Sequence, residues 1–501
     1  MSTLAAMPPL QRALGLFDAT MIVIGSMIGS GIFITSAESA RLVGAPGWLL
    51  VAWGLAGVLT ITGALSCAEL AAAFPRAGGQ YVFLRDAYGP AVGFLFGWAL
   101  FTVIQSGTIA AVAVAFASFL GVLVPAVSAS RYVVPPIALG TSGYAVSLST
   151  EQLTALLSIL LLTALNTRGL KLGTRVQNGA TVAKVAALAG LIVLGLALGN
   201  HRASAAATSS WWHPTANGWR PDAAQPGLAV GGTLALLMLL GRAMVGPLFA
   251  QSAWNNVTFA GGEVRDPARN LPRSLLIGCG VVVGLYLLAN LTYVETLPLD
   301  GIQHAPNNRV AVAALQAILG PAGSVGMAAA IVVSTFGCNN GLILSGARVY
   351  YAMARDGLFF SRAGAVNSRH VPAIAIALQG LWAAFLTLPR TVIAVPGEGV
   401  RYGNVYTQLL EYIVSADLVF YALMIAAVMV LRRRAPAVER PYRAWGYPLT
   451  PVIYLTLALL LVADLSYLTP ATSGAGYVLV LLGVPVYLVW RRYAVPIPEN
   501  A

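Results

Sequence analysis

Apolar runs of about 20 residues recur from one end of the chain to the other, each long enough to cross a hydrocarbon core of about 30 Å, and two of them are interrupted near their middles. Lipid offers no partner for a stray N–H or C=O, so a spanning run must satisfy its own backbone hydrogen bonds as a helix. An interruption is tolerable only where it faces protein or a watery cavity. The chain is therefore expected to be a bundle of membrane helices with two deliberate defects. Its composition agrees, with 58% of the 501 residues apolar and only 9% charged, against about 25% charged in a soluble domain. That balance excludes an ordinary cytosolic enzyme, and it excludes disorder.

The runs fall at 17–36, 47–74, 91–125, 150–165, 175–199, 228–256, 272–297, 321–355, 372–390, 404–431, 447–466 and 474–493, numbered here 1 to 12. Almost nothing remains for a separate soluble domain. The longest connections, 126–149 and 200–227, are rich in Ser, Thr, Pro and Gly. Segment 78–90 is amphipathic and too polar to span, which predicts a helix lying along the membrane interface. The net charge of +12 would suggest nucleic acid in a soluble protein. Here the arginines cluster in alternate connections (Arg76 and Arg85, Arg265 to Arg273, Arg432 to Arg443, Arg491 and Arg492) rather than on one face, so no nucleic-acid partner is expected. Cytoplasmic connections retain the positive residues, which places both termini in the cytoplasm and requires an even number of spans. Run 1 follows a polar stretch and has no small-residue cleavage site after it, so it does not read as a signal peptide.

Cys67, Cys279 and Cys338 lie inside apolar runs without metal-ligand spacing, and His201, His213, His304 and His370 are scattered over separate connections. No phosphate loop, catalytic triad or zinc spacing occurs. The expectation is no enzyme, no metal and no cofactor.

Run 1 carries Gly25, Gly29 and Gly31 with Ser26 and Ser30, and run 6 carries Gly246-Pro247 and then Gln251-Ser-Ala-Trp-Asn-Asn256. Glycine costs about 1 kcal/mol and proline about 3 kcal/mol in a helix interior. Gly25 and Gly29 alone also fit a helix-packing motif. The second interruption five runs later points instead to two inverted repeats, runs 1–5 and 6–10, with a transport site where their broken helices meet. The chain then divides into a tail (1–16), a first repeat (17–199), a connection (200–227), a second repeat (228–431) and a closing pair of helices with a cytoplasmic tail (432–501).

These residues resemble the amino acid–polyamine–organocation superfamily. GSMIGSGIFI at 25–34, AELAAAFPRAGGQYVFLRDAYGP at 68–90, GFLFGW at 93–98, FAQSAWNNVTFAGGEVRDPARNLPRS at 249–274, STFGCNNG at 334–341 and the stretch from Arg348 to Gly357 carry the likeness. Trp254-Asn255, RNLPR at 269–273 and STFG at 334–337 are most similar to the L-type amino acid transporter branch. The resemblance implies an all-α membrane protein of twelve transmembrane helices in a five-plus-five inverted repeat (the LeuT-like fold), with helices 1 and 6 broken. It implies transport of amino acids across the cell membrane by alternating access. Two positions depart from the family pattern. Gly262-Glu263 stands where paired glutamates are common, and Ser252-Ala253 where a glycine pair is common, which narrows the pocket. Animal heteromeric members link to a heavy chain through a cysteine after the third helix; residues 126–149 contain none, so a monomer or homodimer without that partner is expected.

A zwitterion needs receptors for both charges. The half-helix after the run 1 break presents N–H groups of Ser30, Gly31 and Ile32 to a carboxylate. Unpaired carbonyls at Met27 and Ile28, with Phe249 and Ala250 of run 6, suit an ammonium. Ser252 and Trp254, with Gln105 and Asn340, would sort side chains, and by resemblance Phe249 is also a gate. Lys184, one of only two lysines, lies about nine residues or 13 Å into run 5, where ionisable residues are usually functional. By resemblance it occupies a sodium position, bound to carbonyls near Gly25 and to the hydroxyl of Ser334 or Thr335. This predicts a sodium-independent exchanger of neutral L-amino acids. The alternative is that loss of the lysine's proton couples transport to H⁺ in a symporter, or that the chain carries polyamines; no carboxylate lies in the expected pocket segments, which argues against a polycation. A non-transporting nutrient sensor is the remote alternative. Glu69 is expected to pin segment 78–90, Asp417 to relay protons or line a cavity, and Arg242 to line the outer vestibule.

Overall fold

The computed structural model describes residues 10–139, 143–199, 209–395, 399–404 and 406–493. The start of the 200–227 connection, with His201 and Arg202, lies outside these residues, as do positions 1–9 and 494–501 of the two tails.

Proline at a first helical position needs no hydrogen-bond acceptor, and it opens the helices of runs 2, 3, 7, 8 and 12 at Pro46, Pro90, Pro267, Pro321 and Pro470. Run 4 starts instead with a capping box, in which Gln152 N–H donates to the Ser149 hydroxyl and Ser149 N–H donates to Gln152 Oε1. Ten helices among the described residues are long and apolar enough to cross a membrane. Runs 4 and 9 are present as helices Thr150–Thr167 and Ala373–Phe385, the second only 13 residues long. The helices of runs 2 and 7 pack along each other, as do those of runs 3 and 8, and run 8 also lies against run 5. Run 3 contains a π turn at Leu100–Ile104, just ahead of Gln105.

Both expected interruptions are present. Run 1 is helical over Leu16–Met27, opens at Ile28 to Ser30 and resumes at Gly31–Ile34 and Ser36–Val43. Run 6 is helical over Gly232–Ala243 and Val245–Ala250, then leaves the helix before a short turn at Asn256–Phe259. Gly246-Pro247 does not mark the opening, because Pro247 falls in the first turn of its own short helix, where its missing N–H costs nothing.

The expectation of an all-helical chain fails at the end opposite the arginine clusters. The 126–149 connection and the stretch after run 9 form a four-stranded antiparallel sheet of β1 (Tyr132–Ala138), β2 (Tyr144–Ser149), β3 (Pro389–Val395) and β4 (Gly399–Asn404). Pro135 and Pro136 sit on the edge strand, where a lost N–H is harmless. Strand pairing between segments more than 230 residues apart leaves no local trace in the sequence.

The arginine-bearing end is laced shut. Arg348 donates to Glu263 at 2.8 and 3.1 Å, and both side chains are buried to 1% exposure or less. Arg85 and the Tyr81 hydroxyl donate to Asp356, and an N-terminal strand-like contact pairs Leu14 with Val264. Glu69 does not pin segment 78–90. It accepts from Arg432 at 2.8 and 2.6 Å and from the Ala444 N–H at 2.7 Å, so it closes the turn between runs 10 and 11. Segment 78–90 forms the helix Gln80–Tyr88, and its apolar face (Tyr81, Phe83, Leu84) is buried in protein rather than in lipid.

Removing one partner of a buried ion pair leaves an uncompensated charge, a loss of about 3–5 kcal/mol. Arg348→Met is expected to lower the thermal midpoint of the detergent-purified protein clearly. Arg348→Met combined with Glu263→Met is expected to recover most of that loss, read by the same melting curve.

Candidate functional site

Leu170–Leu198 is one continuous helix, and Lys184 lies about 21 Å along it at 1.5 Å per residue, fully buried. Its Nζ donates to Gly25 O and to Ile28 O, both at 2.8 Å, across the opening of run 1. These are the carbonyls that an unbroken helix would have paired with amides one turn on. The Ser334 hydroxyl, from run 8, donates to the same Ile28 O at 3.3 Å. Thr335 does not join them, because its hydroxyl bonds back to Ile331 O and Val332 O of its own helix.

Other donors cover the remaining carbonyls. The Cys338 thiol reaches Ser26 O at 3.2 Å. The Tyr286 hydroxyl of run 7 lies 2.9 Å from Met27 O and 3.3 Å from Ala250 O, so one side chain touches both breaks. Phe249 O accepts from the Ser252 hydroxyl at 2.8 Å and from its amide at 3.2 Å. The carbonyls of Met27, Ile28 and Phe249, expected to be open to an ammonium, are thus engaged by the protein in this conformation, while Ala250 O has only the longer contact with the Tyr286 hydroxyl, whose one proton is shared with Met27 O. The physical reason is depth: an orphan carbonyl in a dry interior is costly, and neighbouring helices supply donors. The donor half is different. Among the described residues the amides of Gly31 and Ile32 donate to no protein acceptor, and no side chain caps the half-helix.

The two breaks touch at Gly31. A Cβ there would lie 2.8 Å from the Ala250 Cα, so only glycine permits this approach. A Cβ at Gly25 would collide with Gln177 and Thr181, which face run 1 from run 5. Residues 26–32 are all buried. Phe249, the expected gate, is 5% exposed.

Three cavities surround the breaks. A wide one of about 1500 Å³ opens at the end bearing the sheet and reaches down to Ile34 and Val114. A second, of about 520 Å³, includes Thr35, Glu38, Gly246 and Glu411. Arg242 lines it, pairing with Gln225 and, at 3.4 Å, with Glu411. A third, narrow one lies behind the run 6 break and is lined by Gln251, Ser252 and Trp254 together with Asp417 and Tyr421. Residues 26–32 line none of the three. Asp417, 163 residues beyond Trp254 in the chain, is brought to the third cavity by the packing of run 10, and so lines a cavity, one of the two roles expected for it.

Gln105 and Asn340 are turned elsewhere. Gln105 donates to Leu342 O of run 8 at 2.9 Å. Asn340 donates to Gly173 O at 2.9 Å and Gln177 Oε1 at 3.2 Å, and accepts from Asn166 at 2.9 Å, so it ties run 8 to runs 4 and 5. Tyr286, Cys338 and Gln251 went unassigned in the sequence. Polar tips in the middle of apolar runs were the signal that could have found the first two.

The amino acid permease family profile matches residues 14–489. The chain is similar to the large neutral amino acids transporter small subunit 2 of Mus musculus, at 30% identity over 484 residues, covering 96% of this chain and 81% of the relative. It is similar to the serine/threonine exchanger SteT of Bacillus subtilis (strain 168), at 28% identity over 96% of this chain and 98% of the relative. The Asc-type amino acid transporter 1 of Mus musculus is 28% identical over 96% of this chain and 82% of its own length.

Ala253 holds the run 6 opening with φ +63°, a left-handed conformation that costs an L-residue about 1–2 kcal/mol. Ala253→Gly is therefore expected to raise the thermal midpoint, with a gain of about 1 kcal/mol; a lower midpoint would show that the Ala253 methyl packs more favourably than its backbone is strained.

Proposed function

The chain belongs to the amino acid permease family of the amino acid–polyamine–organocation superfamily, a family of multi-pass membrane transporters, and on that premise we propose that it is a sodium-independent exchanger of amino acids working by alternating access. The observation that carries this reading is the Lys184 ammonium seated 2.8 Å from both Gly25 O and Ile28 O. A cation tethered to run 5 does there what a bound metal ion would do, neutralising the carbonyl ends of the opened helix. Tethered to run 5, it does not leave as a metal ion does, so the cycle has no sodium gradient to spend through that position.

The substrate carboxylate sits at the N–H groups of Ser30, Gly31 and Ile32, the positive end of a helical stretch that continues through Thr35 to Val43. The ammonium takes the Ala250 carbonyl, whose one donor among the described residues is the 3.3 Å Tyr286 hydroxyl, with the carbonyls of Met27, Ile28 and Phe249 exchanging partners as the breaks move. Ser252 and Trp254 face the side chain, and Phe249 closes over the bound molecule. The names of the relatives point to neutral amino acids, serine and threonine as substrates.

Contacts between helices support twelve spans in two equivalent groups of five with two helices added. Run 1 meets run 5 as run 6 meets run 10, run 3 meets run 4 as run 8 meets run 9, and run 3 meets run 9 as run 8 meets run 4. In this reading the laced, arginine-rich end is cytoplasmic, and the cavity of about 1500 Å³ is the outer vestibule of an outward-facing state. The chain works without a disulfide-linked heavy chain, since all three cysteines are buried.

Purified protein in liposomes loaded with unlabelled serine is expected to take up labelled serine with sodium replaced by choline, and much more slowly into empty vesicles. Strict sodium dependence overturns the assignment of Lys184, and equal uptake into empty vesicles overturns exchange. Lys184→Met orphans Gly25 O while Ser334 still serves Ile28 O. Exchange is expected to fall by at least about tenfold, the scale of a lost charge-assisted hydrogen bond, with the variant still monodisperse on size exclusion.

A further inference from the structure

Run 11 forms the helix Leu449–Leu468 and carries a single charged residue, Asp464, four positions or about 6 Å before its end. The helix begins just after the cluster from Arg432 to Arg443, so Asp464 belongs to the opposite half of the span. Leu457, Leu460, Asp464 and Tyr467 recur every three or four residues and share one face. With Leu237 and Met244 of run 6 and Leu55 of run 2 they line a groove of about 1110 Å³. Leu237 and Leu460 are exposed, so the groove opens sideways from the bundle, where lipid lies. Asp464 is the one charged residue of that lining, and Tyr467 is its only other polar side chain. The Asp464 carboxylate has no hydrogen-bond donor among the described residues. Its Oδ2 is sealed against run 6, where a Cβ on Gly241 would collide with it, and is buried without a partner. Its Oδ1 is left toward the groove. Arg242, next to Gly241 in the chain, is engaged by Gln225 and Glu411 in the neighbouring cavity. Tyr467 is 59% exposed and does not donate to the carboxylate. An ionisable side chain within a span is costly unless it is paired, so the arrangement calls for a cation that arrives through the bilayer.

We propose that this groove binds one phospholipid whose headgroup carries a primary ammonium, as in phosphatidylethanolamine, with the ammonium on Asp464 Oδ1 and an acyl chain along Leu460 and Leu457. Charge and hydrogen bonding select the headgroup. A primary ammonium brings a positive charge together with N–H donors, and a charge-assisted hydrogen bond is the strong kind. A choline headgroup brings the charge without a donor. A glycerol headgroup leaves its phosphate uncompensated, and the carboxylate repels it. The order of residues selects the orientation. Along the shared face run 11 is apolar for two turns, then carries the carboxylate and then a tyrosine. That order suits a lipid whose chain points to the middle of the membrane and whose headgroup lies near the interface, where tyrosines collect. Asp464 lines none of the three cavities around the breaks, so the lipid does not compete with the proposed substrate path. Leu237, Gly241 and Met244 all belong to the first half of run 6. The bound lipid therefore ties that half to run 11 and stabilises the folded chain.

The test is a titration of the detergent-purified full chain with phosphatidylethanolamine, phosphatidylcholine and phosphatidylglycerol of identical acyl chains, with bound lipid counted by native mass spectrometry. Phosphatidylethanolamine is expected to bind one per chain and at least about fivefold more tightly than phosphatidylcholine, the scale of a hydrogen bond to a charged group, with phosphatidylglycerol weakest. It is also expected to raise the thermal midpoint, as a ligand of the folded state does. Asp464→Asn, which keeps the shape and removes the charge, is expected to erase both the preference and the rise in midpoint. Leu460→Trp, a change at an exposed position that fills the groove, is expected to lower the occupancy of all three lipids. Asp300→Asn alters a carboxylate that is exposed and outside the groove, and is expected to leave the preference intact. Equal binding of the three lipids by the unaltered protein overturns the site, and so does tightest binding of phosphatidylglycerol. A preference that survives Asp464→Asn, or an occupancy unchanged by Leu460→Trp, places the lipid elsewhere and overturns it as well.

Discussion

A helix that opens in the middle of a membrane leaves carbonyl groups with no water to turn to, and the rest of this architecture depends on how those groups are met. The answer for run 1 is a single ammonium. Lys184 reaches Gly25 O and Ile28 O from the neighbouring helix at 2.8 Å each, and its own burial is tolerable only because those oxygens receive it. Neither half of the arrangement is stable alone: a dry lysine without acceptors would be costly, and so would dry carbonyls without a donor. The two defects are mutually required, and they lock run 5 against run 1.

Around that contact the neighbouring helices contribute three neutral donors. Cys338 and Ser334 come from run 8 and Tyr286 from run 7, and Tyr286 joins run 1 to run 6 through Met27 O and Ala250 O. Neutral hydroxyl and thiol donors are exchangeable partners worth about 1 kcal/mol each, whereas the lysine is charged. In the proposed exchanger, a substrate ammonium displaces the former more readily than the latter. The Arg348–Glu263 pair and the Asp356 cluster hold the arginine-bearing end closed while a wide cavity opens at the other. The donor half of run 1 and the cavity behind run 6 then flank one short stretch of unwound chain.

Much of the framework was legible beforehand. The boundaries of run 8 agree to the residue, Pro321–Arg355, and those of run 2 to within one, Pro46–Ala73, because hydrophobic length and helix-starting prolines are local properties. The contact of Lys184 with the carbonyls near Gly25 was legible from depth and resemblance together. Asn340 and Gln105 were not: which face of a helix a polar residue occupies among six neighbours depends on helix rotation, and both turned out to tie run 8 to its surroundings. Glu69 was placed correctly near the arginine-bearing end but assigned to the wrong partner, since Arg432 lies 363 positions away in the chain.

Local composition is enough to locate the apolar runs, to show that two of them are interrupted and to place a lysine too deep to reach water, because all three follow from residues within one or two turns. Helix ends such as Leu170 and Phe385, the donors that satisfy the broken ends, the placing of Asp417 in the same cavity as Gln251 and Ser252 and the joining of two connections in a sheet came from packing. Those outcomes depend on which helices lie side by side, and adjacency is set by packing across hundreds of residues, where local composition carries no information.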